Sequence, residues 1–145
     1  MHHIQSEIEI AATPDKVWAA LTDFAAYPDW NPFIRSISGE QIVGARLSVT
    51  IQPEGGTAML FKPTLLVFAP RKELRWKGRL LLPGVFDGEH YFRLHETSAG
   101  TVRLEHGEIF SGLLVPLLFR GAILPGTERG FVAMNRALKS RVEQT

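Results

Sequence analysis

Residues 86–110, with the sequence FDGEHYFRLHETSAGTVRLEHGEIF, give the clearest indication of the fold. They predict two strands joined by a tight turn, because apolar and polar residues alternate on both sides of a short turn-forming segment. Side chains alternate faces along a strand, so the even-numbered positions share one face, which is mostly apolar. That face also carries His90, His106 and Glu108. Polar groups on a buried face are costly unless they are paired or hydrated, so the pattern predicts a cavity rather than a solid core.

The turn determines how the two strands pair. Residues 97–101, TSAGT, suit a hairpin with three loop residues and the glycine in the left-handed conformation. If the two threonines face each other, Arg93 faces Glu105 on the outer face and His90 faces Glu108 on the inner face. A shift by two residues would oppose like charges across the strands, which is unfavourable. We therefore expect a hydrogen-bonded His90–Glu108 pair inside the molecule, and water-facing charges at the odd-numbered positions; a satisfied polar pair in a packed core is the alternative.

Composition predicts a single domain over residues 1–145. The chain is 45% hydrophobic and 21% charged, as is typical of a globular domain with a sizeable core. A net charge of +1 gives no global field that would recruit nucleic acid. The chain has no cysteine, which excludes disulfides and thiolate metal sites and fits a cytoplasmic location. Its glycines form no phosphate-loop or dinucleotide pattern, and we expect no cofactor and no metal.

The longest apolar run covers residues 113–124, where Pro116, Arg120 and Gly121 interrupt it. It is shorter than the roughly 20 apolar residues that a membrane span requires. We therefore expect no integral membrane segment. A segment that caps the cavity, or that makes transient contact with a membrane surface or a protein partner, fits the run better.

Periodicity predicts one helix-rich segment after the first strand and one at the end of the chain. Thr13 and Pro14 suit the N-cap and first position of a helix, and a second short helix is expected within residues 23–30. From Thr127 onward apolar residues recur at helical spacing, and Pro125-Gly126 is expected to separate this long helix from an earlier helical segment. Strands are expected at residues 4–10, 33–40, 45–52, 59–68, 73–81, 85–95 and 101–110, with Pro63 at an edge or bulge.

This order of elements, together with five short motifs, resembles the START/Bet v 1-like (SRPBCC) superfamily and its polyketide cyclase/dehydrase-like branch. The motifs are ATPDKVW at residues 12–18, YPDWNPF at 27–33, GARL at 44–47, ELRWKG at 73–78 and FVAMNRAL at 131–138. The resemblance implies an α+β helix-grip fold. In that fold a curved seven-stranded antiparallel sheet wraps around a long C-terminal helix, with two short helices after the first strand. Members bind lipids, sterols, polyketides and other hydrophobic molecules, and a minority catalyse cyclisation or dehydration.

We therefore expect a protein that binds a hydrophobic or amphipathic small molecule, lipid-like or polyketide-like, as a monomer or homodimer. The expected pocket lies between the sheet and the C-terminal helix, and its aromatic residues could equally be core. The residues expected to bound it are Trp30, Asn31, Phe33, Trp76, His90, Phe92, His106, Glu108, Phe110, Phe131 and Met134.

The polar residues on the inner face admit three interpretations. As polar anchors, His90, His106 and Glu108 would orient an amphipathic ligand, which is the interpretation we favour. As a catalytic pair, Glu108 would orient the imidazole of His90 for proton transfer to a bound carbonyl or enol, in a cyclase or dehydratase. As a facial triad, the three side chains would hold a metal ion.

Overall fold

A computed structural model of the chain describes residues 1–80, 84–118 and 123–144, without the side chains of residues 80, 117–118 and 123–125. In chain order its elements are β1 (His2–Ile10), α1 (Pro14–Thr22), a 3-10 turn (Phe24–Ala26), α2 (Tyr27–Trp30), β2 (Ile34–Ser38), β3 (Ser48–Ile51), β4 (Met59–Phe61), β5 (Thr64–Ala69), β6 (Glu73–Leu80), β7 (Phe86–Glu96), β8 (Val102–Ser111), α3 (Val115–Leu118) and α4 (Ile123–Glu143).

The strands form two antiparallel sheets. Five strands pair in the order β1-β8-β7-β6-β5, and three pair in the order β2-β3-β4. The described residues thus contain eight strands and not the predicted seven, because the run 59–68 is divided at Pro63. Proline has no N–H for the ladder, and the Pro63 carbonyl instead accepts from the Leu47 amide at 2.8 Å. Residues 44–47 then run along β5, with the Leu65 amide donating to the Ala45 carbonyl at 2.9 Å, and so connect the two sheets.

The hairpin of β7 and β8 has the predicted register. His90 lies opposite Glu108, and Arg93 lies opposite Glu105. The turn closes as expected, with the Thr97 amide donating to the Thr101 carbonyl at 2.9 Å. The turn glycine has φ +78°. The register therefore fixes which side chains of the two strands meet on the inner face.

The outer face of this hairpin is less exposed to water than the sequence predicts. The expectation that its charges face water is wrong for Asp87 and Glu105, which are 8% and 9% exposed. Burial alone would raise the pKa of Glu105, but hydrogen bonding to Arg103 and the nearby His95 lowers it overall. Tyr91 is also buried there, between the guanidinium groups of Arg75 and Arg93 at 4.7 and 4.6 Å from its ring centre. Ion pairs and ring contacts therefore cover this side of the sheet.

Helix α1 begins where the sequence predicts. The Thr13 hydroxyl accepts from the Lys16 amide at 3.3 Å, and Pro14 occupies the first position. The helix buries Val17, Trp18 and Leu21 against the core.

Helix α4 buries the predicted stripe, since Phe131, Met134, Leu138 and Val142 are at most 3% exposed. It lies chiefly on β1 and α1. The predicted break at Pro125-Gly126 is wrong, because α4 already begins at Ile123. Proline is tolerated there, since the amides of a first helical turn have no intrahelical acceptor. No helix in the described ranges is long and apolar enough to cross a membrane.

Candidate functional site

Two buried histidines form the centre of the candidate site. His90 on β7 and His106 on β8 are both fully buried, and their Nε2 atoms lie 2.7 Å apart. This contact is diagonal across the hairpin, because the register pairs His90 with Glu108 and His106 with Phe92. Inward-facing positions on adjacent strands place such diagonal neighbours within reach of each other.

A hydrogen-bonded chain continues from His106 to α4 and β1. The Nδ1 atom of His106 lies 2.8 Å from Oδ1 of Asn135, which is 2% exposed. The Asn135 amide group donates to the Ser6 hydroxyl at 2.9 Å, and the Ser6 hydroxyl donates to the His106 carbonyl at 2.9 Å. With His90 and Glu108, these residues form what we call the buried polar chain. Burial, and then the proximity of His90, hold the pKa of His106 well below its usual value, although the bond to Asn135 opposes the shift.

Aromatic rings enclose both imidazoles. The ring of His106 stacks on Phe131 at 4.1 Å between ring centres, with 11° between the planes, and it also lies 4.3 Å from Phe92. The ring of His90 stacks on Trp76 at 5.1 Å, with 17° between the planes. The region under the middle of α4 is therefore packed, and the histidines are held in place on both faces.

Glu108 links the histidines to open space. Its Oε1 atom lies 3.3 Å from Nδ1 of His90, and its side chain is 13% exposed. The distance is that of an ion pair, but Nδ1 of His90 is buried and lacks a well-aligned hydrogen bond. Gly88 makes room for this carboxyl group, since a Cβ atom at position 88 would lie 2.6 Å from Oε2 of Glu108.

The open space is a cavity of about 120 Å³ between the two sheets, beside the first turns of α4. Its apolar wall includes Phe33 before β2, Val49 and Ile51 of β3, Trp76 of β6, and Phe86 and Phe110 of the hairpin. Arg79, Glu108 and Thr127 supply polar groups. Among the described lining residues, Glu108 has the only carboxyl group.

The structure divides the predicted site residues into two groups. Phe33, Trp76, Glu108 and Phe110 line the cavity. The other predicted residues do not line it: Trp30, Asn31, His90, Phe92, His106, Phe131 and Met134. The cavity thus lies between the two sheets and not under the middle of α4, where Phe131 packs directly on the rings of His90 and His106.

Asn31 and Trp30 have structural contacts in place of the predicted pocket contacts. The side-chain carbonyl of Asn31 accepts from the amides of Phe33 and Ile34 at 2.9 and 2.8 Å, which caps the start of β2. The ring of Trp30 lies edge-on to Tyr27, at 5.2 Å between ring centres. Both contacts fix the segment that carries Phe33 into the cavity wall.

The predicted position of Glu108 relative to His90 also changes. In the catalytic interpretation His90 meets the ligand with Glu108 behind it, but Glu108 lines the cavity and His90 lies behind it. The facial-triad interpretation does not fit the geometry, because the two Nε2 atoms contact each other directly at 2.7 Å. In the described part of the chain, no three His, Asp or Glu side chains are grouped so as to hold a metal ion.

Sequence reasoning missed much of the cavity wall, including Val49, Ile51, Phe86, Arg79 and Thr127. It also missed three residues around the histidines and Glu108: Ser6, Gly88 and Asn135. Each carries a signal that could have been used. Ser6 interrupts an inward row of isoleucines on β1, and Asn135 is a poor helix former in the interior of a long helix. Gly88 is an inward glycine within a strand, which often marks the close approach of another group.

The apolar segment 113–124 is only partly described. Leu113 is 84% exposed and Val115 is 5% exposed. Residues 119–122 lie outside the described residues. Its proposed contact with a membrane surface or a partner therefore stays a prediction.

Comparisons with known proteins agree with this architecture. The family model for polyketide cyclase/dehydrase and lipid transport matches residues 1–143. The chain resembles the solved structure of the Zhui aromatase/cyclase of a Streptomyces species, with TM-score 0.78 and 18% identity over 99% of this chain and 94% of that one. It also resembles a START superfamily protein from Mycobacterium smegmatis, with TM-score 0.72 and 20% identity over 99% of both chains.

A third similar structure is Ara h 8.0201, with TM-score 0.70 and 14% identity over 99% of both chains. At these identities the likeness concerns the fold alone. No protein of curated function matches the chain significantly in sequence. The family match covers almost the whole chain, and the chain therefore belongs to the polyketide cyclase/dehydrase and lipid transport family, with the fold of the START/Bet v 1-like superfamily.

Proposed function

We propose that this protein binds a largely apolar small molecule, lipid-like or polyketide-like, in the cavity between the two sheets. The observation that carries the proposal is the composition of the cavity wall. Aromatic and aliphatic side chains form most of the wall, and Glu108, Arg79 and Thr127 add a few polar groups, of which only Glu108 is a carboxyl group among the described lining residues. Small-molecule sites typically combine an apolar wall with a few placed polar groups.

The apolar wall supplies most of the affinity. Each Å² of apolar surface removed from water contributes about 25 cal/mol, so a ligand that buries a fused aromatic ring system gains several kcal/mol. Phe33, Trp76 and Phe110 line the cavity from three different parts of the chain. The wall therefore favours a flat or chain-like hydrocarbon skeleton over a polar molecule.

Glu108 orients the ligand. Its Oε1 atom lies 3.3 Å from Nδ1 of His90, so the carboxyl group has a polar neighbour within the apolar wall. A hydroxyl or carbonyl oxygen on the ligand matches such a pair, whereas a second carboxylate placed against Glu108 is opposed by like-charge repulsion. The part of the ligand that faces Glu108 is therefore expected to carry an uncharged oxygen.

Binding of the uncharged dye N-phenyl-1-naphthylamine tests the binding function. We expect saturable fluorescence enhancement with the natural chain and its loss in Gly78→Leu, because residue 78 lines the cavity and a leucine side chain would fill it. Gly78→Ala is the matched control, since its Cβ would meet only Pro63, at 3.6 Å. Equal dye binding by the leucine and alanine variants, both folded by circular dichroism, would contradict a ligand site in this cavity.

A second candidate function is proton-transfer catalysis of the cyclase or dehydratase kind. It is favoured by the placement of Glu108 in the cavity wall with His90 behind it, and the name of the Streptomyces relative belongs to the same chemistry. In this role Glu108 would exchange a proton with the ligand and His90 would hold or return it. Turnover of a polyketide-like carbonyl substrate should then fall about a hundredfold or more in Glu108→Gln, the scale of lost acid–base assistance. Unchanged turnover in that variant would exclude the role.

A further inference from the structure

We infer that Ser6, Asn135 and His106 hold His90 in the tautomer with its proton on Nε2, so that Nδ1 of His90 and Glu108 share a single proton at the cavity wall. The inference deepens the proposed function and rests on it only for the role of Glu108 toward a ligand. Ser6, Asn135 and His106 are positioning residues in this scheme, because none of them lines the cavity.

Ser6 sets the direction of hydrogen bonding along the buried polar chain. Its hydroxyl lies 2.9 Å from the His106 carbonyl, which can only accept, so the hydroxyl proton is used there. The oxygen of Ser6 is then left to accept from Asn135 at 2.9 Å. The NH₂ group of Asn135 must face Ser6, and its carbonyl oxygen must face His106.

The next step assigns the proton of His106. Since the Asn135 oxygen can only accept, Nδ1 of His106 carries the proton at that 2.8 Å contact. Burial and the adjacent His90 hold the pKa of His106 well below its usual value, so the ring is neutral and its Nε2 has a lone pair. The 2.7 Å contact between the two Nε2 atoms then requires that His90 donates from its Nε2.

The remaining nitrogen of His90 faces Glu108. Nδ1 is buried and has no aligned hydrogen bond as placed, and with no proton on the pair its lone pair would lie 3.3 Å from the carboxylate of Glu108. With one proton, the contact is either a neutral imidazole with a protonated carboxyl group or an imidazolium with a carboxylate. Both forms have net charge zero, as the interior favours. The pair therefore stores one proton, which it can donate to a ligand carbonyl or hold while Oε2 accepts from a ligand hydroxyl.

The opposite direction is less favourable for two reasons. If His106 donated from Nε2, Asn135 would have to turn its NH₂ group toward His106 and its oxygen toward Ser6. The Ser6 hydroxyl would then leave the His106 carbonyl. His90 would donate from Nδ1 to an ionised Glu108, which would leave the cluster with net charge −1 in a largely buried site.

Nitrogen-15 NMR of the imidazoles in the ligand-free full chain, at neutral pH, measures these tautomers directly. We expect a proton on Nδ1 and none on Nε2 of His106, and a proton on Nε2 of His90. In Asn135→Asp the new carboxylate should stabilise a doubly protonated His106, whose Nε2 then donates. The Nε2 proton of His90 then passes to Nε2 of His106, and His90 keeps a proton only on Nδ1, which is the one that it shared with Glu108. A proton on Nε2 of His106 in the natural chain, or an unchanged His90 tautomer in a folded Asn135→Asp variant, would overturn the inference.

Two further variants keep the test specific. Asn31→Asp introduces the same change at an equally buried asparagine, 1% exposed, which bonds backbone amides and no histidine. It should leave both tautomers as they are. Ser6→Ala removes the group that sets the direction, so His106 should show both tautomers; a single Nδ1 tautomer in that variant would refute the role of Ser6. These outcomes do not depend on ligand binding, which the dye assay tests separately.

Discussion

Gly88 offers a direct test of Glu108 as the polar contact of the cavity. In Gly88→Ala the added Cβ would lie 2.6 Å from Oε2 of Glu108, whereas ordinary contacts begin at about 3.4 Å. The difference requires the carboxyl oxygen to move by roughly 0.8 Å, since the alanine is fixed on β7 and the carboxyl group is the flexible partner. A hydrogen bond to an ionised or strongly polar group contributes about 1.5–3 kcal/mol. Its loss corresponds to a roughly 10- to 150-fold weaker Kd.

Calorimetric titration with 2-naphthol and naphthalene separates this effect from a simple loss of space. The two probes share a skeleton and differ by one hydroxyl group, so we expect Gly88→Ala to weaken 2-naphthol binding by the above factor and naphthalene binding far less. Gly78→Ala is the control, because residue 78 pairs directly with residue 88 and its Cβ would meet only Pro63. Equal losses for both probes, or the same selectivity change in Gly78→Ala, would refute the reasoning.

Three further predictions concern stability. The free energy of unfolding should fall as the pH drops below about 6.5, because the unfolded chain protonates His106 while the folded chain keeps it neutral. His106 should contribute up to about 1.4 kcal/mol per pH unit to this fall. Urea denaturation should show a smaller pH dependence in His106→Gln, and an identical pH dependence would contradict the assignment. Gly107→Ala should cost about 3 kcal/mol, because its Cβ would overlap the ring of Tyr91 on the outer face; thermal denaturation within a degree of the natural chain would disprove this contact. Phe131→Ala should lower the free energy of unfolding by about 3–5 kcal/mol, because it removes the ring that stacks on His106. Val132→Ala, at the exposed neighbouring position, should lower it by about 0.5 kcal/mol or less. Similar losses for the two variants in guanidinium denaturation would show that the stack is unimportant.

The hairpin was predictable because its determinants are local. Opposite charges at Arg93 and Glu105 and the turn at residues 97–101 select one register, and that register alone brings His90 opposite Glu108. The cap at Thr13 is equally local, since one side chain serves an amide three residues later. Such features depend on spacing along the chain, which the sequence states directly.

The position of the cavity was not predictable on the same grounds. It depends on how α4 is rotated over the sheet, which brings Asn135 to His106, and on how the three-stranded sheet is set beside the hairpin. Neither follows from periodicity, because an apolar stripe that packs tightly and an apolar stripe that borders a cavity have the same spacing along the sequence. The proline itself signalled that the predicted strand would be divided at Pro63. Nothing in the sequence indicated that residues 44–47 would pair beside it.

The measurement that tests the central claim most directly is the set of intermolecular NOEs between bound 2-naphthol and the isotopically labelled chain. We expect saturable binding with contacts from the ring protons to the side chains of Trp76 and Phe110, which line the cavity together with Glu108. Saturable binding without those contacts, or with contacts only to an exposed apolar side chain such as Leu60, which is 61% exposed, would contradict a ligand site between the two sheets.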